Sequence, residues 1–379
     1  VAHTQVFDRS SVSGKIGYTN ISPYYDIIRQ RVDWKDPYTS FEGNAAYRQQ
    51  ICNNGGYLKV YGNYSTADLS MYQHDIADPQ SKQLYDIHNE YAYGNAAYAQ
   101  PLNERWSVRG GVSYSYNENA IEIGGNPMRE TEKGLHAKGV LEHSLSDKAE
   151  LRFGTEVIAR KYNASRFDEV SATTQSQGFD EVISATFAES EIYLSNSVVT
   201  RVGARTEYNN LLGKLSLDPR VSIAYKPFEK GQFSFAYGTF RQSAKNQYVR
   251  MNPDLKNEKA EHFILNYQVI TDSRTFRIET YYKKYSDLVK FGNTDQTIIN
   301  NNGTGYARGA EVFWRDNKSL KNVDYWVSYS FLDTKRDYLN FPYEAMPTFA
   351  SKHNFSVVYK QFVNAIKSQL GVTYSYGSP

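Results

Sequence analysis

The sequence predicts an all-β protein, a transmembrane antiparallel β-barrel of about 22 strands when complete, roughly 16–17 of them carried by this chain. Three observations lead there. Apolar and polar residues alternate with a step of two, as in Phe233, Phe235 and Tyr237 against Gln232, Ser234 and Ala236. Successive strand side chains point to opposite faces, so each such segment has one greasy and one wet side. The alternating runs last about ten residues, enough for a tilted strand to cross a bilayer. Finally, the chain holds 33 tyrosines, a residue that favours strands and membrane interfaces. Mean hydropathy is −0.64, and no apolar run approaches the ~18 residues of a membrane helix. A Tyr-rich soluble β-sandwich is the alternative that composition alone leaves open.

The elements follow from the turns. Short turns are expected at 52–56, 101–104, 145–148, 195–198, 226–231, 271–273, 317–322 and 361–364. Their spacing of about 44 residues accommodates two ~10-residue strands and one longer loop. The segments between them alternate clearly. Trp106, Val108, Val112 and Tyr114 oppose Ser107, Arg109, Ser113 and Ser115. Phe263, Leu265, Tyr267 and Val269 oppose His262, Asn266 and Gln268, and Phe276, Ile278 and Tyr282 oppose Arg277, Glu279 and Lys283. Ile366, Leu370, Val372, Tyr374 and Tyr376 oppose Lys367, Gln369, Thr373 and Ser375. Longer polar loops are expected at 22–40, 65–84, 117–133, 162–177, 241–257, 286–303 and 333–351. Eight hairpins plus a strand at 12–21 give about seventeen strands. Bacterial single-chain barrels have an even number, so strands are expected to be missing at both ends. The residues 1–379 are thus read as one partial barrel domain, a mature product or fragment, since no signal peptide opens it.

The wet face carries Lys15, Lys59, Arg109, Glu150, Arg152, Glu156, Arg160, Arg201, Arg205, Glu207, Arg220, Arg277, Glu279, Lys283, Glu311 and Lys367. A charge at the lipid midplane costs about 2–4 kcal/mol, so these residues face the lumen. They suit either a water-filled channel or a wall that grips a folded plug. Strand number favours the plug, because barrels of about 22 strands hold a filled lumen.

Phe240-Arg241-Gln242, then Asn252-Pro253-Asp254-Leu255 and Asn257-Glu258-Lys259-Ala260-Glu261-His262, resemble the barrel of TonB-dependent receptors. So do Asp287-Leu288-Val289, the run from Asn301 through Gly303, Gly305 and Gly309 to Glu311, the Tyr329-Ser330-Phe331 block, Pro347 and Lys352-His353-Asn354. The match covers about 220–376, in the style of Bacteroidetes members. It implies an active transporter of the bacterial outer membrane that imports a scarce bulky nutrient: a ferric siderophore, haem, a corrinoid or an oligosaccharide. The implied partners are a plug domain of the same protein, TonB with ExbB and ExbD through an N-terminal segment, and outer-membrane lipid or lipopolysaccharide. Neither plug nor coupling motif is read in these residues. A passive porin, or a barrel-borne enzyme or adhesin, is the alternative. The glycines and Asn301–Asn302 are read as structural rather than as substrate contacts.

Net charge is +2, which predicts no nucleic-acid partner. Cys52 is the only cysteine, in a turn. The seven histidines form no metal-ligand spacing, and no cofactor or catalytic motif is found. His74, Asp75 and Asp78 share a loop and are read as solvated. The chain is therefore expected not to be an enzyme. Substrate contacts are expected from aromatic, basic and polar residues at loop roots: Trp34, Tyr38, Arg241, Gln242, Tyr248, Arg250, Tyr338 and Tyr343. Aromatics there can stack on sugar, catechol or porphyrin faces.

Overall fold

The computed structural model describes residues 2–28, 32–51, 55–74, 81–168, 172–292 and 298–378. Cys52, Asp75 and Asp78 lie outside them. The chain divides into two compact units, one of Val1–Ser144, Arg152–Thr186 and Glu207–Leu215, the other of Leu145–Leu151, Phe187–Thr206 and Ser216–Pro379. Among the described residues no helix is long and apolar enough to cross a membrane.

The first unit contains β1 (Ala2–Val6), β2 (Ser10–Asn20), the short α1 (Ser22–Ile27), β3 (Asp33–Gln50), β4 (Tyr57–His74), β5 (Lys82–Pro101) and β6 (Trp106–Ile123). It also holds nearly all of β7 (Asn126–Ser146) and most of β8 (Ala149–Asp168). Antiparallel ladders join β1 through β7 in chain order. The register puts Ile16, Tyr18, Phe41, Tyr47, Val60, Tyr64, Val112, Tyr114 and Leu135 on one face, which stays exposed. Lys15, Glu42, Arg48, Lys59, Asn95, Arg109, His136 and Lys138 occupy the other. An apolar face left open over this many strands is what lipid covers.

These strands are longer than the sequence suggested. From β3 to β8 they run 18–21 residues, roughly 60–70 Å at about 3.3 Å per residue. Segments read as loops at 117–133 and 65–84 are largely ladder. The β6–β7 hairpin closes on Gly124 and Gly125 alone, with φ of 60° and 91°. Positive φ at both central residues gives a tight turn matching strand twist, and glycine adopts it freely. The ladder needs only backbone groups, so polar Glu118, Asn119, Glu130 and Thr131 pair as well as apolar residues do.

β9 (Thr173–Ser195) and β10 (Val198–Asn209) contribute to both units. The second unit adds most of β11 (Lys214–Tyr225), then β12 (Gly231–Gln242), the short α2 (Asn246–Met251), β13 (Glu258–Ile270), β14 (Arg274–Phe291), β15 (Ile299–Asp316), β16 (Val323–Asp337), β17 (His353–Val363) and β18 (Ser368–Gly377). Ladders join β11 through β18 in order. Ile223, Phe235, Leu265, Ile278, Val312, Tyr329, Phe355 and Tyr376 share the apolar face, as the alternation required. Arg220, His262, Lys283, Arg277, Glu279 and Glu311 share the polar one.

Among the described residues eighteen strands are thus found, against about seventeen expected; β1, which precedes the strand expected at 12–21, is the additional one. The last short turn falls at 364–367 rather than 361–364, because Val363 still pairs with Ser368. Ile366 and Lys367 therefore lie in the turn, Lys367 with φ of 49°, and neither is a wall residue.

Candidate functional site

The polar face is knitted by ion pairs between neighbouring strands. In the first unit Glu142 accepts from Ser107 at 3.0 Å, pairs with Arg109, and lies 3.2 Å from Arg152. Glu156 meets His136 at 2.7 Å and Lys138 at 3.8 Å. Glu181, only 2% exposed, takes Arg160 at 2.6 and 3.0 Å and the Asn209 amide at 2.7 Å. In the second unit Arg201 bridges Glu189 at 3.2 Å and Glu191 at 2.5 Å. These charges satisfy one another along the wall. Other cations sit over rings instead: Lys283 over Tyr281 at 5.0 Å, and Arg220 over Phe240 at 4.8 Å.

Small side chains on this face leave recesses. One of about 480 Å³ in the first unit lies over Ala97, Ala99, Gly111 and Ser113, between Tyr57, Tyr93 and Arg109. One of about 460 Å³ in the second unit is lined by Ser328, Ser330, Asn354, Ser356 and Ser375 with Arg277 and Glu311 at its side. Its polar groups are mostly neutral hydroxyls and amides, and Val312, Phe313, Tyr329, Phe355 and Tyr376 complete the lining.

At the long-loop end of the second unit, three segments fold into a packed group: α2 with the residues after it, the β14–β15 ends, and loop 338–352. Its core is Ala244, Val249, Leu255, Leu288, Val289, Ile299 and Pro347, all buried. Asn301 is the fastener. Its side chain accepts from the Lys256 N–H at 2.7 Å and donates to the carbonyls of Lys256 at 3.1 Å and Asp287 at 2.9 Å. The Glu258 carboxylate accepts from the Val289 N–H at 3.1 Å. The Leu339 N–H donates to the Val289 carbonyl at 2.8 Å and the Leu339 carbonyl accepts from the Phe291 N–H at 3.0 Å, so loop 338–352 is stitched to the end of β14. Loops tied this way need no ligand to hold their shape.

Six of the eight expected contact residues belong to the second unit. Tyr248 packs edge-on against Phe291 at 5.8 Å, and Arg250 follows it on α2 with an enclosed, unpartnered Nε. Tyr338 lies edge-on to Phe341 at 5.0 Å, and Tyr343 projects 70% exposed. These four share the loop group. Arg241 instead pairs with buried Asp218 at 3.0 Å, and exposed Gln242 ends β12 opposite Glu258. Trp34 and Tyr38 are in the first unit. Trp34 stacks on Tyr25 at 5.2 Å, and the Tyr38 carbonyl accepts from Ile21 at 3.2 Å. Sequence reasoning missed Arg336, whose guanidinium lies 4.8 Å from Tyr285 and 5.5 Å from both Tyr338 and Phe349, with its Nε enclosed and unpartnered. Nothing in the sequence marks it, since Tyr285 comes from β14 and Phe349 lies thirteen residues further along the chain. Among the described residues no group of three or more His, Cys, Asp or Glu is placed to hold a metal.

An antiparallel wall with one lipid-facing side, one charge-knitted side and folded loops at one end defines an outer-membrane barrel of the receptor type. Residues 4–379 match the model for the TonB dependent receptor-like β-barrel, and the chain belongs to that family of outer-membrane proteins. Among solved structures it is similar to the outer membrane transporter YddB from Escherichia coli, with a TM-score of 0.77 at 12% identity over 99% of this chain and 62% of that one. It is also similar to the FrpB iron transporter from Neisseria meningitidis, with a TM-score of 0.75 at 9% identity over 99% of this chain and 66% of that one. For the ferric-catecholate import receptor Fiu from E. coli the TM-score is 0.69 at 10% identity, over 100% and 69%. The chain thus spans less than two thirds of the first two structures it resembles. No curated protein matches it by sequence.

Proposed function

We propose that this chain is the wall and outer loop platform of an active importer, filled by a plug domain of the same protein and energised by TonB, ExbB and ExbD. The cargo is a scarce bulky nutrient, and an iron chelate with aromatic groups fits the platform best. The observation that carries this reading is the preformed loop group, which carries Tyr248, Arg250, Tyr338 and Tyr343 at the end of a charge-knitted wall. Rings and cations on rigid supports suit a flat, anionic ligand at low ordering cost. Iron and ferric-catecholate transport by structurally similar proteins is consistent with it.

Growth of a deletion strain on defined iron chelates, haem, cobalamin and glycans tests the cargo. Restoration of iron-limited growth by the full-length gene, and at least a tenfold weaker restoration by a Tyr248→Ala/Tyr343→Ala variant of equal abundance, is the expected result. Rescue on glycans alone would sink the iron reading. A steady open pore in the full-length protein would favour a passive channel instead.

A further inference from the structure

Arg48 on β3 and Lys59 on β4 are direct cross-strand partners on the polar face. Like charges placed opposite one another in a ladder repel, and strands ordinarily avoid the arrangement. Elsewhere on the same face of this unit, cations meet acids: Lys15 pairs with Glu42, and Arg109 with Glu142. Arg48 and Lys59 have no carboxylate partner among the described residues. Both lie instead over the ring of Tyr57, at 5.8 and 4.8 Å. Their flanking partners in the ladder are Ser11 and Ala97, which supply no charge.

Space is left on both sides of that ring. Tyr57 lines the 480 Å³ recess over Ala97, Ala99 and Gly111, whose far side carries Arg109, Lys138 and His136, each already paired with Glu142 or Glu156. It also lines a second recess of about 380 Å³ with Arg9, Arg48 and Gln50; Asp8 lies there too and makes no ion pair with Arg48. An exposed pair of uncompensated cations on an aromatic base, between two recesses, is complementary to closely spaced carboxylates.

We propose that Arg48, Lys59 and Tyr57 dock an acidic stretch of polypeptide from the plug domain, two carboxylates of which neutralise the pair. This rests on the filled-barrel reading above and adds the place and charge of one contact. The occupant is taken as polypeptide because two recesses flanking one ring suit side chains on either side of an acidic pair.

The test uses the full-length protein in planar bilayers, with urea raised until the lumen conducts. Arg48→Gln/Lys59→Gln is compared with Lys15→Gln, which removes a paired cation from the same face. If the two cations served only the wall, neutralising them would relieve repulsion, leaving closure and wall stability unchanged or improved. Docking predicts the opposite sign. The double variant should conduct at lower urea, with an open fraction at fixed urea raised about tenfold or more. Its heat-modifiable gel shift should match wild type, and raising salt should shift its opening less than it shifts that of wild type. Opening at the wild-type urea concentration would overturn the docking site and leave the plug reading intact. Weaker transport with unchanged opening would assign the pair to a passing anionic substrate and likewise overturn it. Steady conductance by wild type without urea would remove the plug reading on which the proposal stands.

Discussion

Leu265 and Asn266 are neighbours on β13 that the register sends to opposite faces, so they measure what each face touches. Leu265 lies opposite Phe235 and Thr280 on the apolar face, 53% exposed, with Phe263 and Tyr267 two residues away on either side. An arginine placed there must snorkel or drag water into hydrocarbon. Near the bilayer midplane that costs about 2–4 kcal/mol, roughly 30- to 900-fold in the folding equilibrium. Asn266 faces the polar side, and its amide donates to Glu279 at 3.3 Å. Arginine at that position gains a carboxylate neighbour and stays wet, so its effect should be within about 0.5 kcal/mol. Urea unfolding of the full-length protein in lipid vesicles, followed by tryptophan fluorescence, measures both. The midpoint should fall sharply for Leu265→Arg and stay near wild type for Asn266→Arg. Equal losses, or the reverse order, would refute the assignment of faces and the argument that lipid covers the apolar side.

Two other outcomes follow from local geometry. Asp316 closes the β15–β16 turn, where the Ser319 N–H and hydroxyl, the Lys318 N–H and Arg274 hold its carboxyl well below the usual carboxylate range. A depressed folded value contributes stability that is fully present above the unfolded value and lost as pH falls through the folded one. The unfolding midpoint of Asp316→Asn should therefore lie below wild type at pH 7, with the gap closing as pH drops from about 4 toward 2. A gap that persists at low pH would contradict this. Gly309 is expected to reject a side chain, since a Cβ there meets the Phe331 carbonyl and lies 2.6 Å from the Tyr281 hydroxyl. Gly309→Val should cost roughly 1–3 kcal/mol by the same assay, whereas Gly139→Val, with open space around it, should be near neutral.

The strands were legible because their signal is local. A step of two in Phe233–Tyr237 or Phe276–Tyr282 needs no knowledge of the partner strand, and lipid on one side enforces it residue by residue. Seven of the eight short turns were placed for the same reason, with the tip of the first outside the described residues. Loop lengths were misread because polar residues can extend a ladder as well as end one. Only the pairing of Glu118 with Thr131 shows which happened at 117–133. The last turn slipped by three residues for a related reason, since Gln361 and Phe362 read equally well as turn or strand until paired with Leu370 and Gln369.

For the candidate site the split is sharper. Tyr248, Arg250, Tyr338 and Tyr343 were chosen as loop-root residues, and the structure brings them into one loop group. Arg241 was chosen on the same grounds but is committed to Asp218, an ion pair that sequence position does not reveal. The fasteners Asn301 and Glu258 looked like turn and motif residues; their role depends on backbone groups 14 to 45 residues away. Sequence by itself determined that this chain builds a two-faced β wall in the outer membrane, because amphipathic alternation is written at a spacing of two. Tertiary structure alone decided which charges cancel and which, like Arg48 and Lys59, are left facing each other. Partners across a ladder are set by register, and register is a property of two strands.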